Sequence, residues 1–218
     1  REGYAVGAFN VENMEMVLAV IEAAEEEGAP VMLQTTPSTV RYASVEMFQA
    51  MVAARAKTSP VPVCLHLDHG TDFALDKAAI EAGYTSVMID GSHEVFEENI
   101  KKTKEVVDFA KAKGIPVEAE LGKVGGKEDD LEAEGSGNTD PLEAKRFVEE
   151  TKVDSLAIGI GTAHGFYVGT PVLDKELVSK VKEVVDIPLV LHGASGLSDE
   201  AVKECVKRGM CKVNFATE

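Results

Sequence analysis

Eight short apolar runs alternate with amphipathic segments along this 218-residue sequence. The runs are nearly continuously apolar, which is typical of strands covered by helices on both faces of a sheet. The segments between them carry apolar residues at three- and four-residue spacing and end in Gly or Pro. This alternation predicts an α/β fold with a parallel sheet, a (β/α)8 TIM barrel, with a doubly wound open sheet as the alternative.

The predicted strands are spaced as in a barrel, each followed by room for a helix. They cover residues 5–10, 30–35, 61–69, 86–92, 116–122, 155–161, 188–194 and 211–217. Regular helical patterns lie between them, as in "NMEMVLAVIEAAEEEG" and "DKELVSKVKEVVD". One long connection, residues 123–139, has no helical pattern, and glycines flank its acidic cluster. Connections of this length are usually functional or disordered, so we expect a mobile active-site loop there.

The domain organisation is simple. No linker divides the sequence, so we expect one domain over residues 1–218. The first strand begins almost at once and no helical pattern follows the eighth. We therefore expect a barrel without its terminal helices, in a chain that is a fragment of a longer one.

Composition and charge exclude several classes of protein. The formal net charge of -16 argues against nucleic acid or an anionic membrane as a partner, since nucleic-acid binders present a basic face. Three cysteines without a CxxC pair argue against a disulfide framework. No apolar run reaches membrane-spanning length, and no signal-peptide pattern opens the sequence. These features predict a cytoplasmic protein.

All five histidines lie at or just after the ends of predicted strands. His66 and His69 end the third strand, and His93 follows the fourth. His164 follows the sixth, and His192 ends the seventh. Barrel enzymes carry their chemistry at this carboxyl-terminal rim. Three imidazoles converging from separate strands, with one position left open, are what a catalytic zinc requires.

Four carboxylates are expected at the same rim: Asp68 ends the third strand, Asp90 ends the fourth, and Glu118 and Glu120 lie on the fifth. Buried carboxylates are costly unless they are paired or bind a metal, so their position near the histidines supports a cation there. Two of them have simpler explanations. Asp90 could cap the following helix, and Glu118 could be paired inside the barrel.

Seven motifs extend from one end of the sequence to the other. They are "GYAVGAFNVEN", "HLDHG", "SVMIDGSHEVFEENI", "VEAELGKVGGKEDD", "DSLAIGIGTAHGFY", "VLHGASG" and "KVNFATE". In this order they resemble the class II, metal-dependent ketose-bisphosphate aldolases. The resemblance implies reversible cleavage of fructose or tagatose 1,6-bisphosphate to dihydroxyacetone phosphate and glyceraldehyde 3-phosphate.

The resemblance also implies roles for single residues. His69, His164 and His192 match the ligands of the catalytic zinc, Zn²⁺. Asp68 matches the proton donor and acceptor at the C4 hydroxyl, and His66 then orients its neighbours.

Further positions carry over from the same family. Asp90 and Glu120 match residues that hold a second divalent ion in some members, and the family also allows a monovalent cation. Glu128 matches the residue proposed to move the proton at C1 of dihydroxyacetone phosphate, whereas His93 has no ligand role and is expected to be structural. The predicted substrate contacts are Asn10, Gly165, Gly193, Ala194, Ser195, Asn214, Phe215, Ala216 and Thr217.

One position departs from the fructose-type pattern, which commonly has a lysine after the "HG-x-Y" motif where this sequence has Val168. The tagatose branch also lacks that lysine and shares "GTAHG", "HGAS" and "ATE" with this chain. The sequence therefore favours the tagatose branch. The family further implies a homodimer or homotetramer.

The chemistry of the residues leads to the same class of reaction. No lysine lies at a strand end suited to a Schiff base, so a metal must take up the charge that develops as the carbon–carbon bond breaks. Asp68 is well placed as the base. Two alternatives remain: a non-catalytic barrel subunit that supports a partner aldolase, and a zinc-dependent barrel hydrolase. The intact set of ligands and base argues against the first, and the glycine- and serine-bearing loops argue against the second.

Overall fold

The computed structural model describes residues 3–128, 131–133, 137–165, 167, 169 and 171–216, with backbone alone at 127–128 and 131–133. Its strands are β1 (Val6–Asn10), β2 (Val31–Thr35), β3 (Val63–Gly70), β4 (Ser86–Ile89), β5 (Val117–Leu121), β6 (Gly125–Glu128), β7 (Leu131–Ala133), β8 (Ser155–Ile158), β9 (Ala163–His164), β10 (Leu189–Leu191) and β11 (Met210–Phe215). Its helices are α1 (Met14–Glu27), α2 (Pro37–Ala43), α3 (Val45–Ala56), α4 (Phe73–Ala82), α5 (Phe96–Lys111), α6 (Pro141–Thr151), α7 (Lys175–Val184) and α8 (Asp199–Arg208).

Eight parallel strands close into a barrel in the order β1-β11-β10-β8-β5-β4-β3-β2. The first and last strands close it, with Val6 opposite Lys212 and Ala8 opposite Asn214. Each of the eight predicted strands is present within a few residues of its expected bounds, and closure excludes the open sheet. The predicted (β/α)8 barrel is confirmed.

Helix boundaries follow the capping residues in the sequence. The Asn13 side chain accepts a hydrogen bond from the Met16 amide at the start of α1, and Gly28 ends that helix in the left-handed conformation. Asp72 caps α4 in the same way through the Leu75 amide. Side-chain caps satisfy helix-end amides that have no partner within the helix, and each is worth about 1 kcal/mol.

The core lies between the barrel and the helices around it. The largest fully buried side chains include Phe48 of α3, Phe147 of α6 and Tyr84 after α4. Burial of each such side chain stabilises the fold by roughly 1.5–3 kcal/mol. Because this core holds the strands from outside, the barrel interior is free to carry polar side chains at its carboxyl-terminal end.

The long connection after β5 contains two strands that the sequence did not predict. Strands β6 and β7 pair antiparallel, and β6 also pairs in parallel with β9, where Gly126 lies opposite His164. Strands of two to four residues with two adjacent glycines have no recognisable alternation, which is why the pattern missed them. The pairing joins this connection to the segment that carries His164.

Strand β11 is the last element in the part of the chain that the structure describes. Apolar side chains of β1 and its flanks remain accessible there, and Tyr4 is 55% exposed. Across the same described residues, no helix is both long and apolar enough to cross a bilayer.

Candidate active site

The end of β3 departs from regular strand geometry. Asp68 and His69 are consecutive and should point to opposite faces, yet both are buried and both contact residues of the barrel interior. The pairing register with β4 shifts between Leu67 and Gly70, and His69 has a φ of 48°. This left-handed conformation is unfavourable for a residue with a Cβ, and such strain is concentrated at functional sites. The local bend lets one strand deliver two functional side chains to one region.

The residue that follows must be glycine. A Cβ at Gly70 would lie 2.5 Å from the Met88 carbonyl oxygen and within 2.8 Å of both carboxylate oxygens of Asp76. Such contacts are too close for a real side chain. The "HG" pair of the motif therefore has a packing reason beside any chemical one.

Three imidazoles converge at the rim, as predicted. His69 Nε2 lies 3.1 Å from His192 Nδ1. The ring centroids of His69 and His164 are 5.1 Å apart, and those of His164 and His192 are 5.8 Å apart. One ligand atom from each of the three lies within 4.8 Å of the other two. The three rings come from the ends of β3, β9 and β10, so the barrel itself sets their spacing.

Two carboxylates orient these rings from behind. Asp90 Oδ2 accepts a hydrogen bond from His69 Nδ1 at 2.8 Å, and Glu118 Oε1 accepts one from His192 Nε2 at 2.9 Å. The facing nitrogens of His69 and His192 therefore keep their lone pairs. Burial lowers the pKa of His192, which favours the neutral ring that a metal requires. Lone pairs that face each other at close range are complementary to a divalent cation, and a carboxylate behind each ring is the usual support for one.

Both supporting carboxylates are ionised despite their burial. Burial opposes the charge of Asp90, but hydrogen bonds from His69 and Ser92 outweigh it and hold its pKa below the usual range. Glu118 is similar, with the Lys212 ammonium and the His192 hydrogen bond overcoming burial. Each is therefore an acceptor that can hold a proton on the far nitrogen of its histidine.

Asp68 lies in the barrel interior and is held by two amides. Gln34 Nε2 donates to Asp68 Oδ2 at 2.8 Å, and Asn214 Nδ2 lies 3.4 Å from both of its oxygens. Gln34 Nε2 also donates to Asn10 Oδ1 at 2.7 Å. Side chains from β2 and β11 therefore contact one carboxylate from β3, and Asn10 of β1 is linked to it through Gln34.

A second polar cluster lies deeper in the barrel. Lys212 Nζ donates to Glu118 Oε2 at 2.9 Å and lies 3.4 Å from His66 Nε2. His66 Nδ1 is 2.8 Å from Ser86 Oγ. Burial, followed by repulsion from Lys212, holds the pKa of His66 well below its usual value. A neutral His66 is therefore a hydrogen-bond link between Ser86 and Lys212.

The loops after β9, β10 and β11 are tied together. The Tyr167 hydroxyl donates to the Gly193 carbonyl at 2.7 Å and accepts from the Ala163 amide at 2.9 Å. Ser195 Oγ accepts from the Ala216 amide at 2.9 Å. Gly193 has a φ of 65°, and a Cβ there would lie 2.5 Å from the Ala163 carbonyl oxygen. These contacts form one continuous rim beside the histidines.

The comparisons with known proteins identify the family. The model for "Fructose-bisphosphate aldolase class-II" matches residues 1–218. The chain belongs to the class II fructose-bisphosphate aldolase family. It is an enzyme, a lyase of the aldolase type.

Solved structures agree with this family. The aldolase is similar to the YdjI aldolase of Escherichia coli K12, with 42% identity, a TM-score of 0.87, and coverage of 99% of this chain and 76% of that chain. A Coccidioides immitis protein described as a candidate fructose-1,6-bisphosphate aldolase matches at 36% identity and a TM-score of 0.92. The match covers 98% of this chain and 77% of that chain. The fructose-bisphosphate aldolase of Campylobacter jejuni matches at 26% identity and a TM-score of 0.80, over 99% of this chain and 72% of that chain.

Most of the residues predicted from sequence come together in the aldolase. His69, His164, His192, Asp90 and Glu120 lie together around the histidines, and Asp68 contacts Asn214 directly and Asn10 through Gln34. Hydrogen bonds join the loops that carry Gly193, Ala194, Ser195 and Ala216. Glu120 Oε2 lies 3.4 Å from His192 Nδ1, on the side of the three histidines. Asp90 supports His69 and does not cap α5, whose N-cap is Val95.

The outcome differs for four other positions from the sequence analysis. The Phe215 ring stacks on Phe9 with centroids 5.5 Å apart, on the helix side of the barrel, so only its backbone can face the rim. Thr217 and the Glu128 side chain lie outside the described residues. His93 is exposed on the turn after β4.

Sequence reasoning missed Gln34, Tyr167 and Lys212. Lys212 carried a signal, since a lysine inside the apolar run "CKVNF" must be buried with a partner. Gln34 interrupts "PVMLQT" in the same way. Only the closed barrel shows that Glu118 and Asp68 are their partners.

Proposed function

We propose that this aldolase is metal-dependent and reversibly cleaves a ketose 1,6-bisphosphate to dihydroxyacetone phosphate and glyceraldehyde 3-phosphate. The observation that carries the proposal is the pairing of His69 and His192, whose lone pairs face each other while Asp90 and Glu118 hold their other nitrogens. Family membership supports the aldol chemistry.

His69, His164 and His192 are the residues that would hold the ion. Zinc fits because three imidazoles leave one coordination position open. A divalent ion bound there supplies a Lewis acid for the carbonyl next to the bond that breaks. Asp90 and Glu120, which with His69 offer ligand atoms within 4.8 Å of one another, would hold a second ion. Because Asp90 Oδ2 already accepts from His69, we assign Asp90 first to the support of that ring.

Asp68 is the proposed base. It takes the proton of the C4 hydroxyl as the C3–C4 bond breaks, and the aldehyde product leaves. Hydrogen bonds from Gln34 and Asn214 support this role because donated hydrogen bonds fix the orientation of a buried carboxylate.

The three-carbon product must then gain a proton at its terminal carbon, the future C1 of dihydroxyacetone phosphate. We assign this step to Glu128. Its strand β6 pairs with the strand of His164, which supports the approach of this carboxylate to the rim. The adjacent glycines Gly125 and Gly126 allow backbone motion for its delivery.

The phosphate of the dihydroxyacetone part is assigned to the joined rim loops. In the described residues, Gly193, Ser195 and the backbone at 214–216 are joined there by hydrogen bonds, and Gly165 and Thr217 are assigned to the same phosphate from the sequence motifs. Barrel enzymes commonly bind phosphate at the loops after their seventh and eighth strands, which here are the loops after β10 and β11. Between the two sugars, the motifs "GTAHG", "HGAS" and "ATE" favour tagatose 1,6-bisphosphate.

The test is an aldolase assay on purified protein with fructose and tagatose 1,6-bisphosphates, with glyceraldehyde 3-phosphate detected by a coupled dehydrogenase. We expect chelation to abolish cleavage and zinc or cobalt to restore it. His93→Ala, which removes an exposed histidine, is the matched control and should retain full activity. Full activity in a verified metal-free sample, or a substrate adduct trapped by borohydride, would contradict the metal mechanism.

A further inference from the structure

Lys212 is a buried ammonium in the middle of β11, with 6% of its surface exposed. A charge in this environment is costly unless it is paired and hydrogen-bonded. Its partner is Glu118 Oε2 at 2.9 Å, and His66 Nε2 lies at 3.4 Å. Neither of these contacts is with a rim histidine, and the function proposed above gives Lys212 no role.

Glu118 connects this lysine to the metal ligands. Its two oxygens have separate tasks, since Oε2 accepts from Lys212 and Oε1 accepts from His192 Nε2 at 2.9 Å. As long as Lys212 holds Oε2, the other oxygen is directed at His192. An acceptor at that point keeps the proton on Nε2 and leaves the lone pair of Nδ1 facing His69 Nε2.

We propose that Lys212 is a positioning residue for the metal site. By holding Glu118, it selects the tautomer of His192 whose Nδ1 can bind a divalent ion. The inference rests on the metal site in the proposed function and adds a residue that touches neither metal nor substrate.

The substitution Glu118→Gln distinguishes selection of the His192 tautomer from simple charge neutralisation. Lys212 has only donors, so in Glu118→Gln the amide oxygen turns toward Lys212 and the NH₂ group faces His192. The ring must then accept at Nε2 and carry its proton on Nδ1, where it blocks the metal. Loss of support behind a ligand histidine typically weakens metal binding by roughly 10–100-fold, and we expect a loss of that size.

A second substitution should reverse this loss. In Glu118→Gln/Lys212→Met the amide is free to rotate, so its oxygen can again accept from His192 Nε2. We expect the double variant to bind zinc more tightly than Glu118→Gln alone. A lysine that only neutralised charge would instead make the double variant no better than the single one.

The measurement is zinc affinity of the metal-free proteins by competition with a chromophoric chelator, with the visible spectrum of bound cobalt as a report of ligand geometry. Lys182→Met is the matched control, because Lys182 is a half-buried lysine that hydrogen-bonds the Ile187 carbonyl on the outer helix α7. It should leave zinc affinity unchanged. Circular dichroism and thermal unfolding check that each variant is folded.

The outcomes separate the two proposals. If the wild type binds zinc and Glu118→Gln binds it as tightly, the role of Lys212 is overturned while the proposed function stands. The comparison of the wild type with Glu118→Gln needs no change at Lys212. It therefore tests the role of Lys212 even if Lys212 variants do not fold. A double variant no tighter than Glu118→Gln also overturns the inference. A wild type without zinc affinity overturns both proposals.

Discussion

Two groups of ligand-type side chains lie in successive layers of the same barrel, and they treat charge differently. The rim group is His69, His164 and His192; the inner group is His66, Asp68 and Glu118. Both have ligand atoms within 4.8 Å of one another, so either could hold a metal by spacing alone. The inner group already contains a cation, because the Lys212 ammonium lies against Glu118 and His66.

The difference shows how the two layers divide their tasks. The ammonium within the inner group neutralises carboxylate charge and repels a second cation. His66 and Glu118 therefore serve as a support that directs hydrogen bonds toward the rim, and Asp68 is the member with a proposed catalytic role. In the rim group, His69 and His192 turn one ring nitrogen toward each other, and their other ring nitrogens hydrogen-bond to Asp90 and Glu118. A similar set of residue types therefore makes a support in one layer and a candidate metal site in the other.

The largest effect should come from removing a rim ligand. We expect His192→Ala to lose its zinc and to reduce kcat roughly 10³-fold, because Lewis-acid stabilisation is worth several kcal/mol. His66→Ala, in the inner layer, should keep its zinc. Metal content by mass spectrometry and the aldolase assay measure both variants. Equal loss of zinc in the two would show that the layers do not differ in the way proposed.

Removal of the proposed base, Asp68 of the inner group, should slow the reaction without loss of metal binding. We expect Asp68→Ala to retain zinc and to lose roughly 10²–10⁴-fold in kcat, the usual contribution of a positioned acid or base. Steady-state kinetics with parallel zinc analysis test this. Loss of metal together with rate would make Asp68 a ligand, and an unchanged rate would move the base to another residue.

Glu128, which lies on β6 outside the barrel, should affect only the proton at C1 of dihydroxyacetone phosphate. We expect Glu128→Ala to keep zinc and substrate affinity and to slow the exchange of the C1 proton of dihydroxyacetone phosphate roughly 10²-fold or more. Proton NMR in deuterium oxide follows the exchange without the aldehyde partner. Exchange as fast as in the wild type would remove Glu128 from the chemistry.

The smallest effect concerns Asp76, a buried carboxylate without the hydrogen-bond partners that Asp90 and Glu118 have. Among the described residues, neither side-chain oxygen of Asp76 has a hydrogen-bond partner, and burial raises its pKa well above the usual value, with Asp72 adding to the shift and Lys102 opposing it. Since the folded-state pKa is the higher one, the folded protein binds more protons above the ordinary pKa of an aspartate. Stability therefore falls as the pH rises from that value toward the folded-state pKa.

Asp76→Asn should remove this dependence. We expect the Tm advantage of the variant over the wild type to increase by a few degrees from pH 5 to pH 8. About 1 kcal/mol shifts Tm by about 2–4 °C for a protein of this size. Asp108→Asn, at an exposed position of α5, is the control and should not change the pH trend. The same Tm difference at both pH values would argue against a raised pKa at Asp76.

Much of the fold and the candidate site could be predicted because their signals are local. The eight strands are apolar runs whose period is recorded in adjacent residues, and the histidines follow those runs directly. The short strands β6, β7 and β9 were not predictable, because strands of two to four residues are too short to show a period. The pairing of β6 with β9 also joins positions that are nearly 40 residues apart along the chain.

The sequence by itself determined which residues reach the rim, since strand order and the end of each apolar run place His69, His164 and His192 at the same end of a parallel barrel. Only the tertiary structure decided what each side chain does there. Asp90 supports a histidine and does not cap a helix, and Lys212 faces Glu118 across the barrel interior. These roles depend on pairs that are distant in sequence and come within hydrogen-bond distance only when the barrel closes. A hydrogen bond is decided by distance and direction, and no local pattern records either.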